Sequence, residues 1–129
     1  MEPADYLELL EIAGQATGSF AMDGVAILFA YAVAGHFAGK SLSSVQTLAL
    51  TCVYTIFLLF PVTSAMMSSK RVEIYTNQFR QTYPEVAADH LNASSYSNLH
   101  LVLGLVFFAS WILSLLYMIS VRRTRMERT

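Results

Sequence analysis

The chain has 129 residues, 55% of them hydrophobic and 13% charged, with a mean hydropathy of +0.49. Soluble domains carry about 25% charged residues, so much of this surface meets something other than water. A net charge of −1 excludes a global field directed at nucleic acid, and the single cysteine, Cys52, excludes an intrachain disulfide and a cysteine metal cluster.

The first eleven residues include Glu2, Asp5, Glu8 and Glu11 and no base. A secretory signal needs a basic leading region, so the first apolar segment is expected to remain in the mature protein. No lipidation motif is evident, because residue 2 is Glu and the last two residues are Arg-Thr. Residues 3–16 predict a short amphipathic helix. Tyr6, Leu7, Leu10 and Ala13 fall on one side, with Glu8 and Glu11 on another. Pro3 suits a first helical turn, and the early acids suit its positive end. This segment is too charged to span a bilayer and is expected on the membrane surface or against the bundle.

Residues 18–38 predict a first span, which contains Asp23 and His36. The polar stretch from Gly39 to Ser44 predicts a tight turn, so the first two spans form an antiparallel hairpin. Residues 45–66 predict a second span without a charged residue, carrying Pro61 near its end. Cys52 lies inside it and reads as a small buried hydrophobe. Thr47, Thr51 and Thr55 recur every four residues and share one helix face.

Residues 67–98 form the long polar connection. Val72, Tyr75, Phe79 and Tyr83 recur at helical spacing, so a helix is expected there, continuing the second span and ended by Pro84. Residues 85–92 add a further turn or two, and 93–97 read as loop. Asn92-Ala93-Ser94 matches the glycosylation sequon, a pattern common by chance. Residues 99–121 predict a third span, apolar except for His100 and scattered serines. The tail, residues 122–129, supplies Arg122, Arg123, Arg125 and Arg128.

The expected architecture is therefore a single membrane domain: an all-α integral membrane protein with three transmembrane helices, an N-terminal amphipathic helix and a partly helical connection between spans two and three. With the N-terminus outside, Lys40 and the four tail arginines give five cytoplasmic bases against three outside (Lys70, Arg71, Arg80). The positive-inside rule favours that orientation, in a plasma or bacterial inner membrane. The tail arginines act as a stop-transfer anchor and also reach lipid headgroups.

Four constellations bear on function. Ala26, Ala30, Ala34 and Ala38 recur every four residues, with Gly35 and Gly39 beside them. Small residues at this spacing allow a second helix to approach closely. They form a helix-packing interface, either within the chain or with another subunit. Asp23 lies about 7 to 8 Å below Gly18, where an unpaired carboxylate costs about 2.5 kcal/mol or more. With the third span entering from the same side, His100 is expected at similar depth, flanked by Thr63 and Ser64 on the second span. These four residues form a candidate ion or proton site, set against an Asp23 held by interfacial water or Ser19. A metal alternative draws Met22, Met66, Met67, His90 and His100 together at the outer end, a soft donor set suited to copper. His36, near the inner end, reads as an interfacial histidine, or else as a single ligand to a haem-like group.

No nucleophile elbow or phosphate loop is present, and no residue is assigned a catalytic role, so an enzyme is the less favoured class. The sequence names no cofactor. Its expected partners are the lipid bilayer and copies of itself or other membrane subunits, not nucleic acid. Three functions follow in order: an assembly subunit; an oligomeric channel or transporter with Asp23 and His100 at its mouth and the threonine face as lining; and a metal- or cofactor-binding membrane enzyme or redox subunit.

Overall fold

The computed structural model describes residues 1–91 and 99–128, the last four by backbone alone. The described residues form four helices: α1 (Pro3–Ala38), α2 (Ser44–Thr82), α3 (Pro84–His90) and α4 (Leu99–Arg128). The described residues include no strand. The sequon and the 93–97 segment lie outside the described residues.

Local chemistry sets the boundaries. Pro3 occupies the first turn of α1, and the Glu2 N–H donates to Asp5 Oδ2 at 2.8 Å. Ser43 caps α2 reciprocally: its Oγ accepts from the Gln46 N–H at 3.1 Å, and its own N–H donates to Gln46 Oε1 at 2.9 Å. Tyr83, restricted by the proline after it, leaves the helical region and ends α2. Pro84 then opens α3.

The amphipathic segment and the first span are one helix, not two. Gly14 and Gly18 weaken helix intrinsically, but a continuous packed face overrides them. Buried Tyr6, Ala13, Thr17, Gly24, Tyr31 and Gly35 follow at intervals of whole or double turns. The matching row on α2 runs through Thr47, Tyr54, Leu58, Pro61, Ala65, Ser69, Val72, Thr76 and Phe79. Tyr6 of the first row meets Phe79 of the second and Tyr31 meets Tyr54, within the molecule's most extensive helix contact.

At 1.5 Å per residue, the 36 residues of α1 and 39 of α2 extend about 54 and 58 Å. Both exceed the roughly 30 Å of a bilayer's hydrocarbon core. Helix α4 packs beside them over only part of this length. The molecule therefore has a three-helix section and a two-helix extension. The extension is closed by Tyr6, Phe79 and Ala87, with Leu7, Leu10 and Tyr83 packed around them. Tyr6 stacks on Phe79 with ring centroids 5.3 Å apart, and the Tyr83 hydroxyl donates to the Met1 carbonyl at 2.8 Å. The three-helix core is Tyr31, Tyr54, Leu58 and Met118.

The outer surface of the three-helix section is largely apolar. Phe29, Phe37, Phe60 and Leu105 are each about 70% exposed or more. Among the described residues, three helices are long and apolar enough to cross a membrane. Cys52 faces outward, correcting its expected burial, because the inward face of α2 at this level is occupied by Thr51, Tyr54 and Thr55.

Candidate functional site

A hydroxyl network ties the three long helices together at mid-length. The Tyr31 and Thr51 hydroxyls lie 3.0 Å apart, joining α1 to α2. The Tyr54 hydroxyl lies 2.8 Å from Ser114 Oγ, and Trp111 Nε1 donates to Thr55 Oγ1 at 3.1 Å, joining α2 to α4. Tyr31 and Tyr54 stack with centroids 3.9 Å apart. Each polar group of this network thereby finds a partner inside an apolar bundle. Thr51 and Thr55 thus bond across to neighbouring helices, whereas Thr47 bonds back to the Ser43 carbonyl of its own helix at 2.9 Å.

Helix α1 meets α4 through glycines. A methyl group on Gly24 would sit 2.6 Å from Phe107 Cε1, and one on Gly35 would sit 3.1 Å from Met118 Cε. A methyl on Gly39 would overlap the Gly35 carbonyl and crowd Val121. The Gly35/Gly39 pair therefore packs inside the chain, and Gly24 belongs to the same seam. The alanine stripe is divided: Ala34 and Ala38 are half-buried, whereas Ala26 and Ala30 are exposed.

The same contacts fix the register of the parallel helices α1 and α4. Gly24 faces Phe107 and Gly35 faces Met118, an offset of 83 residues in both cases. His100 is therefore level with Thr17, about 9 Å along the axis from Asp23. The expected Asp23–His100 pair is not formed. His100 instead approaches Glu73 of α2, with Nδ1 3.3 Å from Oε2, within ion-pair range but without hydrogen-bond geometry. Thr76, one turn beyond Glu73 and 2% exposed, has a hydroxyl without a hydrogen-bond partner. Thr63 is exposed and Ser64 half-buried, and neither hydroxyl makes a hydrogen bond to a described residue.

Asp23 is exposed on the outer face of the bundle. It lines a shallow groove between α1 and α2 with Ala26, Ile27, Phe57, Phe60 and Pro61. Among the described residues it has no hydrogen-bond or ion-pair partner, Ser19 included. Pro61 has no N–H to offer the Phe57 carbonyl four residues earlier, and both residues line this groove.

The five expected metal ligands stand in different surroundings. Met22 and Met67 are 68% and 59% exposed, and His90 is exposed on α3. Met66 turns into the α2–α4 groove over Gly104, and His100 is engaged by Glu73. No group of three His, Cys, Asp or Glu residues placed to hold a metal occurs among the described residues. His36 Nδ1 lies 3.2 Å from the Tyr117 hydroxyl, adding a polar link between α1 and α4.

At the opposite end from His100, Arg122 Nη2 donates to Ser44 Oγ at 3.0 Å across the α2–α4 contact. Arg122 and Arg123 stand at a cleft of about 580 Å³ that reaches inward to Tyr31 and Thr51. Helix α4 continues through Arg125 and Arg128, so the basic tail begins as helix. The sequence signalled neither the cleft nor the Gly24–Phe107 contact. Both depend on which α4 residue meets which residue of its neighbours.

The chain matches no protein-family model, and no curated protein or solved structure is significantly similar to it.

Proposed function

We propose that this chain is an integral membrane protein that crosses the bilayer three times and serves as an assembly subunit, joining a larger membrane complex through the outer face shared by α1 and α2. Asp23 carries this reading. It is exposed, lacks a partner among the described residues, and lies about 9 Å along α1 from the level of His100. An unpartnered carboxylate facing hydrocarbon is costly, so a donor from outside the chain is needed. The exposed Ala26 and Ala30 beside it let a neighbouring helix come close. The Phe57 carbonyl adds a second acceptor.

The partner is best read as a different protein. Every Lys and Arg of this chain is at position 40, 70, 71, 80 or 122 and beyond. A second copy lying the same way in the membrane brings no cation to the level of Asp23. It brings a second carboxylate. A foreign helix carrying a lysine, arginine or strong hydrogen-bond donor at that depth satisfies both acceptors. The distribution of bases favours the N-terminus outside and the C-terminus in the cytoplasm. The α1–α2 extension then projects from the outer face.

A second reading keeps the same residue. Asp23 and the Phe57 carbonyl are oxygen groups of the kind that bind a proton or cation in transporters, where helix backbone is interrupted. One experiment separates the two. The tagged full chain is purified gently from its native membrane and weighed by native mass spectrometry, as wild type and as Asp23→Asn and Ala26→Leu. An assembly subunit copurifies with foreign subunits, and both variants lose them. A conductor retains its assembly state in Asp23→Asn but loses flux in liposomes. A wild-type chain that is monomeric and non-conducting would refute both readings.

A further inference from the structure

The cleft between α2 and α4 at the Arg122 end has the chemistry of a phosphate site with an apolar wall. Its mouth holds two guanidinium groups, Arg122 and Arg123. Arg122 has five N–H donors, and its only described hydrogen bond uses one of them, to Ser44 Oγ at 3.0 Å. Arg122 is half-buried and lines the cleft. No carboxylate of a described residue pairs with it. A guanidinium in this state matches the paired oxygens of a phosphate.

The interior of the cleft is not uniform. Ser44, Thr47 and Thr51 come from successive turns of α2 and present hydroxyl-bearing side chains along about 10 Å of depth. On the α4 side, Leu115, Met118 and Ile119 present hydrocarbon. A soluble phosphate compound has no use for that hydrocarbon wall. A phospholipid has both parts, with a phosphate at the level of the arginines and an acyl chain running from it along Ile119 and Leu115.

We infer that this cleft binds one anionic phospholipid, its phosphate held by Arg122 beside Ser44 and an acyl chain laid along the Leu115–Ile119 face of α4. The seated lipid fills the gap between α2 and α4 at the end where the Arg122–Ser44 bond is their polar tie. It stabilises the folded bundle by preferential binding to it. This assignment rests on the cleft alone and does not depend on the partner of Asp23.

The test uses the purified full chain in a neutral detergent, with added phosphatidylglycerol, phosphatidylcholine of the same acyl chains, or inorganic phosphate. Bound lipid is counted by native mass spectrometry, and the unfolding midpoint is followed in parallel. The expected result is one tightly held phosphatidylglycerol, little phosphatidylcholine, and a raised midpoint with the anionic lipid only. Arg122→Gln weakens phosphatidylglycerol about tenfold, the scale of a lost charge-assisted hydrogen bond. Lys40→Gln removes another cation at this end, one that does not line the cleft, and leaves binding unchanged. Ser44→Ala weakens binding less than Arg122→Gln and keeps a folded reference should the arginine variant prove unstable. Equal binding of the two lipids, or equal losses in Lys40→Gln and Arg122→Gln, would reduce the effect to general surface charge and overturn the site. Stabilisation by inorganic phosphate with none from phosphatidylglycerol would assign the cleft to a soluble anion and overturn the lipid.

Discussion

Gly24 lies against the ring of Phe107 so closely that a single added methyl would stand 2.6 Å from the ring edge. Phe107 is itself 6% exposed and has little room to withdraw. Gly24→Ala should therefore force α1 and α4 apart and destabilise the bundle by about 1 to 3 kcal/mol, the usual range for overpacking. Thermal unfolding in detergent measures this. Adding Phe107→Leu should recover part of the loss, and an unchanged midpoint in Gly24→Ala alone would refute the contact.

The bond between the Tyr54 hydroxyl and Ser114 Oγ crosses from α2 to α4. Ser114 also donates to the Trp111 carbonyl at 2.7 Å, so it keeps a partner when the tyrosine loses its hydroxyl. Tyr54→Phe is expected to cost about 0.6 kcal/mol, near the average for interhelical bonds in membranes. A double-mutant cycle with Ser114→Ala should give a coupling of that size. Zero coupling would mean that the two groups do not bond in the folded protein.

Phe79 is fully buried between α1, α2 and α3, with Tyr6 stacked on it. Phe79→Ala should destabilise the two-helix extension by about 3 kcal/mol or more. The loss should be local. Hydrogen exchange is expected to accelerate in residues 3–16 and 67–82 and to stay slow across Tyr31, Tyr54 and Trp111. Uniform acceleration along the chain would show instead that the extension and the three-helix section unfold as one unit.

Pro61 denies the Phe57 carbonyl its helical bond, and both residues line the groove with Asp23. Pro61→Ala restores the N–H and should stabilise the isolated chain, by up to about 3 kcal/mol. If a partner subunit bonds to that carbonyl, the same change should weaken its copurification. Gain of stability with undiminished copurification would remove the carbonyl from the proposed interface and leave Asp23 as its polar contact.

The sequence determined the helical class, three apolar helices of spanning length, the tight turn between the first two, the end of α2 before Pro84, and the inward faces marked by Tyr6, Ala13, Val72 and Phe79. These features are local or periodic. A proline restricts the residue before it, a serine caps the helix that follows it, and a face repeats every turn, so each is legible without knowing any neighbour. The tertiary structure alone decided the continuity of α1 through Gly14 and Gly18, where packing against α2 outweighs local propensity. It decided that Gly35 and Gly39 serve the α1–α4 seam while Ala26 and Ala30 remain outside. It also decided that His100 meets Glu73 and not Asp23. Depth along separate helices is set by register, and a slip of six residues moves a side chain about 9 Å without altering any helix's own pattern. Rotation about each helix axis and register between helices arise from side chains meeting across the bundle, and one strand of sequence carries no local signal for either.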